Sequence, residues 1–432
     1  MKMAKIAVIG AGVMGLACAY ENLKNGHEVD LYEADDRVGG MAAHFDFDGL
    51  SIERYYHFIC KPDDYLFELL HELEIHHLLK WRDTYMGYYY DGELHDWGNP
   101  FALMKFPGLS MIAKLRYGLH MFFSTKLKKW QHLDELEASE WIQKWIGQDA
   151  YNILWKRLFD LKFFKFRDNL SAAWIWARIR RVGQSRKSML QEQMGYLEGG
   201  SEALLNVLEA RIKQLGGHIN LNTPVERVNI EHGTVTSISL KHGIEEYDAV
   251  FSTVPLPFVP RLIPDMPKSY LDAYLSIENM GVVCVLFKLK RPLTRNFWLN
   301  ISDERFEIPG LIEYSNLREL PHNIVYVPYY MPRDLPKYKE NNEFFIKEAT
   351  EYLKLIDPQL KDEEIESVHA SRYGFAQPIC PPGFKDCLPP VKTEIDGLFV
   401  ADTSYYYPED RSISESVNVG KQMAREYQQG IK

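Results

Sequence analysis

The stretch Lys5-Ile-Ala-Val-Ile-Gly10-Ala-Gly12-Val-Met-Gly15-Leu-Ala-Cys-Ala-Tyr20, followed by Val29-Asp-Leu-Tyr-Glu33, decides the architecture. Ile6 to Ile9 is a short apolar run that ends in glycine, the pattern of a buried parallel strand, and a helix is expected after it. Each glycine of Gly10-x-Gly12-x-x-Gly15 has a mechanical task. Gly10 makes the tight turn, Gly12 lets backbone approach a diphosphate, and Gly15 lets helix and strand pack closely. A bound phosphate would rest on the free N–H groups at the helix start. Glu33 closes a second apolar run, where a carboxylate can accept hydrogen bonds from both hydroxyls of an adenosine ribose, so the spacing is that of a dinucleotide site.

The next residues narrow the choice of dinucleotide. Glu33-Ala-Asp-Asp-Arg37-Val-Gly39-Gly40-Met41 resembles the second fingerprint of FAD-dependent oxidoreductases of the flavin amine oxidase, protoporphyrinogen oxidase and phytoene desaturase superfamily. The resemblance implies that Arg37, Gly39, Gly40 and Met41 carry the chain past the FAD diphosphate toward the flavin. It recurs at Gly195-Tyr-Leu-Glu-Gly199-Gly200-Ser and Leu215-Gly-Gly to Pro224-Val225, where Val225 would stand beside the adenine. It recurs again at Gly397-Leu-Phe-Val-Ala401-Asp402, where Asp402 would meet the ribityl and phosphate region. Ser416 and Val417, near the start of the last helix, would turn backbone N–H groups toward the flavin O2 edge. The fold so implied is α/β. A discontinuous Rossmann-like FAD-binding domain (1–50, 195–260 and 391–432) is joined to an α+β substrate domain with an antiparallel sheet (261–390) and a helical cap (51–194).

Composition sets outer limits. A chain of 432 residues with 46% hydrophobic and 13% aromatic residues can bury several cores and is not disordered. Its net charge of −10 argues against nucleic acid as a partner. The five cysteines (18, 60, 284, 380 and 387) have neither metal nor redox spacing, so no metal site is expected and a reducing, cytoplasmic location is the default. No apolar run reaches 18 residues, so no membrane span is expected. Oligomeric state has no signature here.

Flavin chemistry needs no Ser-His-Asp set or metal cluster from the protein. Three side chains are the candidates for touching flavin or substrate. Arg54 and His57 lie in Glu53-Arg-Tyr-Tyr-His57-Phe58, which has a partial likeness to a His-Ile-Phe-His type motif of UDP-galactopyranose mutases, a non-redox branch. Arg411 ends Tyr405-Tyr-Tyr-Pro408-Glu-Asp410-Arg411, which loosely resembles the tyrosine-rich ending of the same mutases. Amine oxidases of the superfamily usually carry a lysine early in the first strand of the substrate sheet. Val283 or Cys284 stands at that place, a departure that weakens an amine oxidase reading.

Between 151 and 190 ten lysines and arginines (156, 157, 162, 165, 167, 178, 180, 181, 186 and 187) face two acids, Asp160 and Asp168, with aromatics interleaved. Three readings stand side by side: a solvated helix face over an aromatic core, the lining for a substrate bearing phosphate or carboxylate, and a peripheral contact with the anionic inner face of a membrane. The Phe101 to Lys129 stretch, with Met121-Phe-Phe beside Lys126, Lys128 and Lys129, leans to the third. The leading functional expectation is FAD-dependent oxidation of a C–H bond in a small anionic or lipid-like molecule. The alternative is a non-redox flavin-dependent mutase acting on a nucleotide- or lipid-linked sugar.

Overall fold

A computed structural model describes residues 3–430; residues 1–2 and 431–432 of the spans 1–50 and 391–432 lie outside the described residues. The helices that flank the sheets and the site are α1 (Val13–Lys24), α2 (Pro100–Lys105), α3 (Met111–Lys126), α4 (Ala172–Gln184), α5 (Ser201–Gln214), α6 (Asn342–Ile356) and α7 (Ile413–Gly430).

Five strands form a parallel sheet in the spatial order Leu398–Val400, Ala249–Ser252, Lys5–Ile9, Glu28–Tyr32, His218–Asn220. Three of them are buried along almost their whole length, as expected of a sheet covered on both faces. The sheet draws on the start, middle and end of the chain, so the nucleotide-binding unit is discontinuous. One cover is the α1–α7 pair. Gly420 allows their close approach, because a Cβ there would stand 2.3 Å from the Met14 carbonyl oxygen.

The second sheet has seven strands. Next to one edge Asn279–Leu289, buried throughout, pairs antiparallel with Asn323–Pro332 on its inner side and with the edge strand Ile365–Pro378 on the other. Strand alternation sends Val283, Val285 and Phe287 into a core shared with α6, and Cys284 and Leu286 into one shared with Tyr55, Tyr56 and Phe58. Cys284 is therefore the residue that faces the site. The far edge of the sheet is the hairpin Met86–Tyr90 and Glu93–Trp97, turned at Asp91-Gly92 and attached through a parallel pairing to Trp298–Ser302. The 51–194 span is thus not a purely helical cap. Its alternating tyrosines bury Tyr88 on one face and Tyr89 on the other, which suits a strand.

One buried carboxylate makes fold stability depend on pH. Burial pushes Glu192 up to about 7, against a hydrogen bond from Thr84 that pulls it down. Both folded and unfolded chains hold this proton below the ordinary glutamate range, and stability falls as pH rises from there through 7, by about 3 kcal/mol when complete. Glu192→Gln is expected to raise the melting temperature by a few degrees at pH 8 and to leave it unchanged at pH 4. Thermal unfolding at the two pH values checks this.

Candidate functional site

Two regions meet between the sheets: a bare backbone cradle at the parallel sheet, and an aromatic, cationic cleft over the antiparallel one.

The cradle is built by glycines. Gly10 has φ 98°, and a Cβ on Gly15 would lie 1.9 Å from the Gly10 carbonyl oxygen, so the turn and α1 fit together only without side chains. Gly12 caps α1 with no side-chain hydrogen bond, no acid occupies the first turn, and nothing lies within 4 Å of where its Cβ would be. The free N–H groups and positive end of the helix thus look into open space. Gly39 (φ 113°) and Gly40 (φ 56°) run beside Gly12, with the Gly39 N–H donating to the Ala11 carbonyl at 2.8 Å. A Cβ on Gly40 would come within 3.3 Å of the Gly12 Cα. A wall without side chains beside an uncapped helix start is what a diphosphate requires.

Glu33 closes one end. Its carboxylate accepts from the Ala11 N–H at 2.7 Å and the Asp35 N–H at 2.9 Å, which fixes it while leaving acceptor capacity for a ribose. The Glu33 carbonyl accepts from the Thr223 N–H at 2.8 Å and that of Asp35 from the Asn222 N–H at 3.0 Å, bringing Val225 to the same end. At the other end Met41 packs on the aromatic core that contains Tyr326 and Tyr330. These residues fit an adenosine at Glu33, a diphosphate over Gly12 and a flavin toward the second sheet.

Other residues singled out in the sequence have different tasks. Arg37 spends its guanidinium on Asp36 and on the His44 carbonyl (2.8 Å), so it braces the turn. Arg54 pairs with Asp35 at 2.8 Å, at the adenosine end rather than in the aromatic cleft. Asp402, buried, accepts from the Leu256 N–H at 2.9 Å and the Ser404 N–H at 2.8 Å and ties two strand ends together. Ser416 and Val417 need correction. α7 starts at Ile413, the Ser416 N–H already donates to the Ser412 carbonyl at 3.1 Å, and both residues lie within the helix, where N–H groups are internally bonded. Unbonded N–H groups belong one turn earlier.

The aromatic cleft is centred on Tyr330. Its hydroxyl receives a hydrogen bond from Arg411 at 3.0 Å and lies 3.3 Å from the Tyr56 hydroxyl. Arg411 also donates to the Ala376 carbonyl. The Lys162 ammonium stands 5.0 Å from the Tyr330 ring centre and forms no ion pair among the described residues. Burial, then the charges of Arg178 and Arg411, drive its pKa well below the lysine range. Asp410 bonds Arg178 at 3.0 Å, and Lys162 and Arg411 stand near the same carboxylate. His57 follows Tyr56 on the segment beside this cleft. Burial pulls it down to about 4, so it is neutral at pH 7, and its Nδ1 is shut from solvent with no partner.

The basic run of 151–190 is resolved residue by residue. Arg181 is buried against Asp63 (2.8 and 2.9 Å), and Arg180 pairs with Glu409. These acids come from distant parts of the chain, which is why a local count overstated the free charge. Arg157 and Arg186 donate to backbone carbonyls instead, and Lys162 is left with neither an ion pair nor a hydrogen bond among the described residues. A wide groove of about 690 Å³ between Asp91, Lys156 and Arg305 lies at the opposite edge of the sheet; Lys156 and Arg305 are paired with Asp160 and Asp303, and Arg157 donates to the Glu304 and Phe306 carbonyls. Among the described residues no cluster of His, Cys, Asp or Glu is placed to hold a metal, and no helix is long and apolar enough to cross a membrane.

The sequence profile of flavin containing amine oxidoreductases matches residues 14–407. The chain belongs to this family. FAD is accordingly the cofactor of this flavin-containing oxidoreductase. A 15-cis-phytoene desaturase of Synechococcus elongatus is 24% identical over 322 residues, 67% of this chain and 66% of that one. A 15-cis-phytoene desaturase of Glycine max is 28% identical over 325 residues, 69% of this chain and 56% of that one. The match thus spans between half and two thirds of the length of these relatives. A putative protoporphyrinogen oxidase from Exiguobacterium sp. 255-15 shares the fold over 100% of both chains, with a TM-score of 0.78 at 18% identity. The α/β architecture of this flavin-containing oxidoreductase is that of its structural neighbours.

Proposed function

We propose that this flavoprotein oxidises a C–H bond of an apolar molecule that carries a carboxylate or phosphate. The observation that carries the reading is Lys162, an amine without a counter-ion, held over Tyr330 beside Arg411 and Arg178, whose charged form a bound anion would restore. Keeping Lys162 charged beside two guanidiniums and one carboxylate is costly unless an anion completes the set. FAD, when bound, supplies the two-electron acceptor. Tyr55, Tyr56, Tyr330 and Tyr373 wall off water on the sheet side, and Lys162 and Arg411 orient the anionic end. Neutral His57 can hold a polar group through Nδ1 without adding charge. An amine would arrive positively charged and be repelled, and Cys284 stands where an amine oxidase has its lysine. The desaturase names of the relatives agree in kind with C–C oxidation, and oxygen or a quinone would re-oxidise the cofactor.

The test is anaerobic photometry of the FAD-loaded protein with long-chain polyene carboxylates, neutral polyenes and primary amines. Bleaching of the flavin band by the carboxylates alone is expected. Bleaching by amines alone refutes the reading, and substrate turnover without electron consumption would instead mark the mutase alternative. Lys162→Met is expected to keep the flavin and raise KM for the anionic substrate about tenfold to a hundredfold, the worth of one charge-assisted hydrogen bond. Because the Lys162 pKa is depressed, binding should weaken as pH rises through a value below the usual lysine range. Lys162→Arg should move that limb upward.

A further inference from the structure

We propose that the face formed by α2, α3 and the loop before residue 192 seats on an anionic phospholipid surface. α3 is turned inside out. Ile112 (71% exposed), Leu115 (67%), Leu119 and Phe122 (54%) recur at helical spacing on its solvent side, while Lys114, His120 and Ser124 face the protein. A water-facing helix shows the reverse order. The inward polar groups have specific tasks: the Lys114 ammonium donates to the Met104 carbonyl at 2.7 Å, and the Ser124 carbonyl accepts from the Trp176 indole at 2.8 Å. His120 is wedged between Trp141 and Trp145, where burial pulls it down to about 4 and keeps it uncharged. The orientation is therefore fixed by bonds.

The apolar face does not stop at α3. Phe101 on α2 and Met189 on the loop are 65% and 75% exposed. Arg186 ties the two together, donating to the Gly98 carbonyl at 2.8 Å and the Met189 carbonyl at 3.1 Å. A continuous exposed apolar face of this kind marks an interface.

Charge selects the occupant. From Phe101 to Lys129 there are six cations and not one Asp or Glu, in a chain whose net charge is −10. Lys105, Lys126, Lys128 and Lys129 are exposed and form no ion pair among the described residues. Apolar side chains flanked by lysines fit a surface of anionic headgroups over acyl chains. A second copy of this acidic chain would bring the same lysines against themselves. The inference does not depend on the substrate.

The test uses the full FAD-loaded chain in flotation with vesicles of phosphatidylcholine alone, or with about a third phosphatidylglycerol. Binding to the anionic vesicles, weakened by salt and small on the neutral ones, is expected. Ile112→Ser/Leu115→Ser/Phe122→Ser should lower the bound fraction at least about tenfold with flavin absorbance and melting temperature unchanged. Lys126→Glu/Lys128→Glu/Lys129→Glu should do the same and serves if the serine variant misfolds. Absence of binding, equal binding to neutral vesicles, or full binding by both variants overturns the proposal. So does a dimer in solution that the serine substitutions split while vesicle binding is absent.

Discussion

Gly12→Ala is expected to give a chain that folds as well as the native one and holds FAD at least about a hundredfold more weakly, a loss of ~2.7 kcal/mol. The space beside Gly12 is empty and its backbone (φ −65°, ψ 172°) suits any residue, so an added methyl meets no protein atom. What it meets is the volume over the α1 start where the diphosphate would lie. The folding cost is limited to a slightly poorer helix cap, about 1 kcal/mol or less. Gly15→Ala is the contrast. Its methyl would be forced to within 1.9 Å of the Gly10 carbonyl oxygen and 2.9 Å of the Thr253 hydroxyl. Backbone cannot yield as a side chain can, so α1 must lift from the sheet at a cost of about 3 kcal/mol or more. Urea unfolding of the FAD-free proteins and titration with FAD separate the two effects. If Gly12→Ala bound FAD with native affinity, the diphosphate would not lie at this turn.

This pair also marks how much of the molecule was legible in its sequence. Gly10, Gly12 and Gly15 have backbone tasks that no other residue performs, so their spacing exposes strand, turn and helix together, and Glu33 at the next strand end adds the ribose acceptor. Arginine charge was not legible in the same way. Arg180 finds Glu409 across 229 residues of chain, and Arg181 finds Asp63 across 118. Neither acid falls in a local window. Lys162 stands out only once those partners are placed, as the basic side chain of the run with neither an ion pair nor a hydrogen bond among the described residues. Periodicity likewise shows that α3 has an apolar side, but the usual assumption that this side faces the core is reversed here, because Lys114 and Ser124 bond inward. The strand Ile365–Pro378 runs well past the short stretch recognisable by alternation. Pairing with Asn279–Leu289 carries it through the polar Ser371 and Arg372. Ser416 and Val417 were one turn late because a helix start depends on which N–H first finds a carbonyl, which Ser412 settles in space.

Removing the Glu53 carboxylate is expected to destabilise the FAD-loaded protein by about 3–5 kcal/mol, the usual cost of breaking a buried ion pair. Glu53 is 1% exposed at the end of Leu50–Glu53. Its carboxylate accepts from Arg318 at 3.1 Å, from the Ser201 N–H at the start of α5 at 3.1 Å, and from the Tyr314 hydroxyl at 3.3 Å. The group packs over Gly200 (φ 73°), where a Cβ would fall 2.5 Å from the Arg318 guanidinium and 2.8 Å from the carboxylate. Burial alone would raise the Glu53 pKa, but bonding to His44 and the charges of His44 and Arg318 outweigh it and hold the group to about 2. The His44 contact, at 3.5 Å, is long for a hydrogen bond, so Arg318 carries more of the effect. A depressed carboxylate adds stability that is complete above its unfolded value near 4.5 and is lost as pH falls through 2, about 3 kcal/mol in all. Glu53→Gln should remove that acid limb, and Glu53→Ala should in addition leave Arg318 buried without a partner. Replacing Glu53 and Arg318 together with apolar residues should recover part of the loss. Urea unfolding between pH 3 and pH 7 reads both effects. A Glu53→Gln protein within about 1 kcal/mol of native, with the same pH slope, would remove Glu53 as the tie. The same substitution reaches the cleft, because the Glu53 carbonyl accepts from Tyr326 at 2.7 Å and the His57 carbonyl from Tyr314 at 3.0 Å. The segment carrying Tyr55, Tyr56 and His57 is therefore pinned at both ends, by Tyr326 within one strand of the antiparallel sheet and by Tyr314 in the turn that follows its neighbour Gly310–Glu313. Loosening its first anchor should lower kcat more than it lowers flavin content.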